Sequence, residues 1–257
     1  MSRYPTDIAD AQWAGLDPLL PDPACLAGRG GRWEKHCRRL IVDAILYVVD
    51  NGIKWRALPA DFPPWPTVFK RFTAWEKAGT TQRLLDALRG RARPADGRNV
   101  APSAAIIDSQ PVRAAPTVST STRGYDAGKK VQGRKRHIAV DTLGLLIAVL
   151  VTPASTSDRI AARSLLRRLR SAAGRRVQLI WADGGYTGTL LGWARNTLAL
   201  TVEIVKRPDL PHFTVLPRRW VVERTLAWIT NHRRCAREAM VRWSMIRITV
   251  RRLTQPQ

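Results

Sequence analysis

Cysteines and long apolar runs are both scarce in this chain of 257 residues. Its three cysteines, Cys25, Cys37 and Cys235, are widely separated, form no CxxC pair and leave one over if two were bridged. The most apolar run, residues 145–151, is too short to span a bilayer, and the first residues lack the apolar segment of a signal peptide. We therefore expect a reduced, cytoplasmic protein with no membrane partner.

Acidic residues are also scarce. The chain has 20 Asp and Glu and 43 Lys and Arg, which gives a formal net charge of +23. Such an excess is typical of proteins with a polyanionic partner, in practice nucleic acid. Most of the basic residues are arginines, so codon bias in the source genome is an alternative explanation for part of the excess.

Residues 1–98 have the pattern of helices interrupted by Gly and Pro. One apolar face runs from Leu40 to Val49 and stops at Gly52, and a shorter helix is predicted from Thr67 to Lys77. A helix, a turn and a second basic helix are typical of a DNA-reading module, although aromatic residues at helical spacing also suit a plain core. Residues 93–99 look like a linker, so we predict a helical, DNA-binding domain over 1–98.

Residues 99–257 change to a strand-rich pattern. Short apolar or alternating runs alternate with amphipathic stretches, which predicts a mixed α/β domain with five strands flanked by helices. The runs that we expect to form strands are 104–107, 136–141, 145–151, 177–182 and 202–205.

Three carboxylates stand where such a domain could use them. Asp108 follows a buried apolar strand, where an unpaired charge is costly. Asp183 ends another strand before two glycines, which permit a tight turn. Glu223 lies on the flank of a helix whose buried stripe is formed by other residues, and Arg219 and Arg234 share its flank. Three other aspartates, Asp126, Asp141 and Asp158, suit turns or a helix N-terminus instead.

These residues belong to motifs that resemble those of bacterial insertion-sequence DDE transposases with a ribonuclease-H-like catalytic domain. The three active-site motifs are represented, in order, by Ile107-Asp108-Ser109-Gln110, Trp181-Ala182-Asp183-Gly184-Gly185-Tyr186 and Arg219-Trp220-Val221-Val222-Glu223-Arg224-Thr225. The likeness extends to residues 124–137 and to residues 55–65, and so covers essentially the whole chain.

The resemblance implies a specific chemistry. Asp108, Asp183 and Glu223 would be the catalytic, metal-holding residues, with Mg²⁺ or Mn²⁺ as the cofactor, and Arg219 and Arg234 would grip the DNA phosphates. The reaction implied is metal-dependent cleavage at the ends of the element, followed by attack of the freed 3′-OH on target DNA. The implied partners are terminal-repeat and target DNA, on which we expect a homodimer or larger assembly in the bacterial nucleoid.

A basic segment between two strands adds further candidate phosphate contacts. Its alternative interpretation is a solvated hairpin. The residues that we predict to bind DNA are Lys129, Lys130, Arg134, Lys135 and Arg136.

The sequence departs from the family pattern at its C-terminal end. Leu216 and Thr230 replace a tyrosine and a basic residue of relatives, and a loop that usually follows Arg237 is missing. A deletion there would re-aim the last helix, predicted from Met240 to Leu253. The alternative function is therefore an inactivated transposase remnant that binds DNA without cutting it.

Overall fold

The computed structural model describes residues 3–23, 33–115, 118–205, 217–233 and 235–254, with the backbone alone at 217 and 218. Its N-terminal part is helical, as predicted. The helices are α1 (Asp10–Leu16), α2 (Arg38–Asn51), α3 (Trp65–Lys77) and α4 (Thr80–Ala95). Helix α2 ends where the sequence indicated, because Gly52 takes the left-handed conformation, with φ of 70°, that closes its last turn.

Helix α4 continues three residues into the segment predicted as a linker. Arg93 is buried there, since its Nη1 lies 2.6 Å from the Asp141 carboxylate and its Nε donates to the Asn99 carbonyl at 2.6 Å. These contacts extend the helix to Ala95. The division of the chain at residue 98 falls in the connection that follows and remains a prediction.

A mixed sheet with helices on both faces follows. Its strands are β1 (Ala104–Arg113), β2 (Gly124–Asp126), β3 (Val131–Val140), β4 (Leu146–Pro153), β5 (Leu179–Ala182) and β6 (Thr201–Ile204). The helices are α5 (Asp158–Ala173), α6 (Thr189–Leu198), α7 (Pro217–Thr230) and α8 (Glu238–Thr254). The sequence predicted five of the six strands; the short β2 was missed.

The strand order places β1 at the centre. Strand β3 pairs antiparallel with β1 on one side and with β4 and β2 on the other, while β5 pairs parallel with β1 and β6 parallel with β5. The three long antiparallel strands are β1, β3 and β4, and the parallel strands β5 and β6 follow on the other side of β1. This order is the ribonuclease-H arrangement. The predicted fold class is therefore confirmed.

Alternate residues of β1 face two different cores, since side chains point to opposite faces along a strand. Ile107 packs with α5 and α6, whereas Ile106 packs in a larger cluster with α7, α8 and the N-terminal helices. Asp108 follows Ile106 by two positions and so points toward the α7 face. The larger cluster draws residues from both sides of position 98.

Helix α8 fills the space between the N-terminal helices and the sheet, where Trp243 is fully buried. Ion pairs reinforce this packing: Arg252 lies 2.8 Å from Asp96, and Arg242 pairs with Glu76. None of the described helices is long and apolar enough to cross a membrane.

Candidate active site

Two of the predicted carboxylates lie side by side on neighbouring parallel strands. Strand β1 pairs with β5 in a register that places Ile106 opposite Trp181. Asp108 and Asp183 each follow two residues later, at the same level of the sheet. The Asp183 Oδ1 accepts a hydrogen bond from the Gly185 N–H at 2.9 Å, which fixes the turn after β5.

Helix α7 brings the third carboxylate to the same edge. As predicted, Val222, Leu226 and Ile229 form its buried stripe, and Glu223 lies on the flank. One turn earlier, the Arg219 guanidinium lies 3.4 Å from the Glu223 Oε1 and 3.9 Å from the Asp183 Oδ2.

The electrostatics of Asp108 also indicate a shared site. Its pKa is raised to about 7, chiefly by burial, and the negative charges of Asp183 and Glu223 act in the same direction. The Ser109 N–H, which donates to the Asp108 Oδ1 at 2.7 Å, and the charge of Arg219 oppose these effects. The three carboxylates are close enough to influence one another, and Asp108 is the one most deprived of solvent.

Two sets of contacts hold α7 against the sheet. The Thr225 hydroxyl donates to the Gly144 carbonyl at 3.0 Å, in the turn between β3 and β4. Arg136 of β3 donates to the Leu226 carbonyl at 3.3 Å and to the Thr230 hydroxyl at 2.5 Å. The angle at which α7 presents Glu223 therefore depends on the β3–β4 turn and on one buried arginine.

A second layer of polar residues lies behind Asp108, and the sequence analysis missed it. The Ser109 hydroxyl donates to the Asp158 Oδ1 at 2.8 Å, and Lys135 lies 3.3 Å from the same oxygen and 2.8 Å from Asp126. Tyr186 is buried beside this layer; burial first, and then the nearby carboxylates, raise its pKa well above 10. Ser109 and Tyr186 belong to the first two motifs that resemble those of the transposase family, so the sequence contained a signal for them. Nothing in the sequence around Asp158 indicated that it belongs to this layer.

The prediction that the basic segment binds DNA was wrong for two of its residues. Lys135 and Arg136 were predicted as phosphate contacts, yet they are only 6% and 3% exposed. Both lie in the middle of β3, which is covered by β1 on one side. Lys135 pairs with Asp126 and Asp158, whereas Arg136 makes the contacts with α7. Lys129 and Lys130, in the turn before β3, are exposed. Arg134 is half-buried, and its guanidinium donates to Thr122 and to the Ala236 carbonyl.

Two other predicted positions, Arg234 and Leu216, lie outside the described residues. Thr230, which stands where relatives have a basic residue, accepts the hydrogen bond from Arg136.

The donor set fits a hard divalent ion, because three carboxylates supply oxygen ligands at one edge and the pKa of Asp108 is raised, first by burial and then by the charges of Asp183 and Glu223. Among the described residues, no group of three acidic, His or Cys side chains is already drawn together tightly enough to hold an ion. Arg219 contacts two of the three carboxylates and supplies positive charge there.

Residues 100–250, more than half of the chain, match the family model described as "Transposase DDE domain". The chain belongs to this transposase family. Residues 8–85 match a second model, DUF4096, which describes candidate transposases of the IS4/5 family. The family acts on DNA and generally uses a divalent metal ion.

Two relatives of this transposase come from Burkholderia cepacia. The "Insertion element IS402 uncharacterized 16.2 kDa protein" is 35% identical over 115 residues, which cover 42% of this chain and 73% of that protein. A candidate transposase of the same element is 32% identical over 108 residues, which cover 40% of this chain and 51% of that protein.

Solved structures of the Mos1 transposase also show a distant likeness. The paired-end complex with the left transposon end is 12% identical, with a TM-score of 0.29 over 95% of this chain and 72% of that one. The strand transfer complex is 15% identical, with a TM-score of 0.27 over 87% of this chain and 78% of that one. Scores this low add nothing to the fold assignment, which rests on the strand order.

Proposed function

We propose that this transposase cleaves DNA at the ends of its insertion sequence and joins the freed 3′-OH to target DNA, with Asp108, Asp183 and Glu223 as the catalytic carboxylates. In the first step water attacks the phosphorus, the bond to the 3′ oxygen breaks, and a 3′-OH is released. In the second step that hydroxyl attacks a phosphodiester of the target and displaces its 3′ oxygen. The convergence of the three side chains from β1, the end of β5 and α7 carries the proposal.

Each residue has a distinct part in this reaction. Asp108 on β1 and Asp183 at the end of the adjacent β5 would hold Mg²⁺ or Mn²⁺, and Glu223 would complete the ligand set from α7. A bound divalent ion supplies Lewis-acid stabilisation of the attacking and leaving oxygens. Arg219 lies within reach of two of the carboxylates, and its guanidinium suits a phosphate oxygen next to the scissile bond.

The proposed partners are the terminal repeats and the target DNA. The net charge of +23 and the exposed Lys129 and Lys130 support a phosphate-binding surface. The helical region over 1–98 would contribute DNA contacts, and a homodimer or larger assembly on DNA in the bacterial nucleoid would hold the two ends together.

Cleavage of a labelled duplex that carries an element end and its flank tests the proposal. The substrate is incubated with Mg²⁺, Mn²⁺ or EDTA and resolved on a denaturing gel. We expect metal-dependent nicking that Asp108→Asn, Asp183→Asn and Glu223→Gln each abolish. The matched control is Asp22→Asn, an exposed aspartate of the N-terminal region, which should cleave as the wild type does.

Nicking that persists in EDTA, or in any of the three active-site variants, would contradict the assignment of that site. End-specific binding without nicking in either metal would instead support the inactivated remnant.

A further inference from the structure

Helix α5 carries a row of basic side chains that none of the predicted contacts includes. Arg159, Arg163 and Arg167 are spaced by four residues, which places them on one face, and all three are exposed. At 1.5 Å per residue the row is about 12 Å long. We refer to these three residues as the α5 arginine row.

No acidic side chain in the described part of the chain forms an ion pair with the α5 arginine row. Among the described residues, the ion pairs of α5 involve Asp158 and Arg168 instead. The chain thus keeps three positive charges together on one exposed surface. Surface charges left without partners in this way repel one another unless an anion joins them.

One aromatic side chain orients two members of the row. The guanidinium carbons of Arg163 and Arg167 lie 5.4 and 5.1 Å from the centre of the Trp193 ring on α6. Contacts with the face of an indole are favourable and restrict a side chain that is otherwise flexible. They also leave the N–H groups at the guanidinium edges free to donate, so these two arginines are ordered in advance for an acceptor.

The row begins next to the loop that follows Asp183. Arg159, Asp158 and Gly185 line one cavity, and Gly185 is the residue whose N–H binds Asp183. A Cβ atom added at Gly188 would lie 3.4 Å from the Arg159 Nη1, so this arginine reaches the loop that follows the catalytic aspartate. From there the row leads away from the carboxylates along α5.

We propose that the α5 arginine row binds the phosphate backbone of the DNA as it leaves the active site. This inference rests on the proposed function and adds the path of the duplex to it. One strand carries a charge about every 3.4 Å along the duplex axis, so a row of about 12 Å faces three or four phosphates. A second copy of this chain does not suit the row, because a two-fold contact would set arginine against arginine.

The test measures DNA affinity in a protein that cannot cut. In an Asp183→Asn background, Arg163→Gln/Arg167→Gln is compared with Arg175→Gln/Arg176→Gln, which removes two exposed arginines from the turn after α5. The probe is a fluorescent duplex with an element end and flanks on both sides, titrated at several salt concentrations.

Each lost phosphate contact lowers the slope of log affinity against log salt by about 0.9, so the α5 double variant should lose about 2 from the slope. If the two proteins converge at about 1 M salt, this corresponds to roughly thirtyfold weaker binding at about 0.15 M. The control double variant should keep the slope of its parent to within about 0.5.

Equal slopes for the two double variants would overturn the inference while leaving the proposed function intact. Failure of the parent protein to bind the duplex would refute DNA as the partner and the path along α5 with it. A change in α6 after loss of the Trp193 contacts would also alter DNA binding. Arg159→Gln avoids this effect, because this arginine does not touch the ring. Its slope should fall by about 1, and an unchanged slope would count against the proposal.

Discussion

Replacement of Asp108 by Asn should stabilise the metal-free protein while it abolishes cleavage. Asp108 is held where burial and the charges of Asp183 and Glu223 raise its pKa to about 7. Above that pH the folded protein keeps a carboxylate in an environment that disfavours it. Asparagine removes the charge and retains an oxygen that can accept from the Ser109 N–H, so the local geometry is preserved.

The size and sign of the effect follow from the pKa. The ordinary value is 3.8, and at about 1.36 kcal/mol per pKa unit the difference sets an upper bound of about 4 kcal/mol at pH 8. Because the folded pKa lies above the unfolded one, the folded state binds the extra proton between pH 3.8 and about 7, and stability falls as the pH rises through this window. The gain from Asp108→Asn should therefore shrink to roughly 2 kcal/mol at pH 5.

Urea unfolding in EDTA at pH 8 and at pH 5 measures the gain in the free energy of unfolding at each pH. The control is Asp141→Asn, because Asp141 is fully buried but lies 2.6 Å from Arg93 and accepts from the backbone of Leu143 and Leu145. Loss of one partner of a buried pair costs about 3–5 kcal/mol, so the two Asp→Asn changes should have opposite signs. Added Mg²⁺ should raise the stability of the wild type and have little effect on Asp108→Asn, since a ligand stabilises only a state that binds it.

A destabilised Asp108→Asn protein at pH 8 would show that this carboxylate is not desolvated as described. A gain in the free energy of unfolding that is the same at pH 5 and at pH 8 would show that the stabilisation does not come from the ionisation of Asp108.

Four further variants test how the structure supports the site and its DNA contacts. Gly144→Ala should lower the unfolding free energy by about 1–3 kcal/mol and slow cleavage, because φ is 83° and the new Cβ would lie 2.7 Å from a hydroxyl of α7; thermal melts and gel assays measure both. Arg136→Met should reduce cleavage without changing DNA affinity, since its contacts are internal. Lys129→Gln/Lys130→Gln should lower the salt slope of binding by about 2, whereas Lys135→Met should leave the slope unchanged and lower the melting temperature.

Local sequence patterns were enough to predict much of the fold. Apolar runs and glycines act over a few residues, so the stop of α2 at Gly52 and the central strand before Asp108 could be predicted directly. The order of the strands and helices predicted a mixed α/β domain, and the family resemblance implied its ribonuclease-H-like arrangement. The short β2 was missed because Gly124–Asp126 has no apolar alternation and exists as a strand only through its pairing with β3.

The predictions that failed depended on contacts between distant segments. Lys135 and Arg136 belong to a strongly basic segment, which is typical of exposed surface. Their burial follows from the position of β3 between two other strands, and it is tolerated because Asp126 and Asp158 lie within reach of Lys135. No pattern within the segment indicates these partners, which come from another strand and from α5.

Burial of basic side chains also reduces the part of the net charge that DNA can reach. Among the residues that the structure describes, four lysines and arginines are almost fully buried and form part of the scaffold: Arg89, Arg93, Lys135 and Arg136. Arg93 ties α4 to Asp141 at the start of the β3–β4 turn, that turn accepts a hydrogen bond from Thr225 of α7, and α7 carries Glu223. A chain of buried contacts therefore runs from the N-terminal helices to the helix that carries this proposed catalytic carboxylate. Charge counted from the sequence overstates the DNA-binding surface, and substitutions at these buried positions should impair folding and cleavage before they weaken DNA binding.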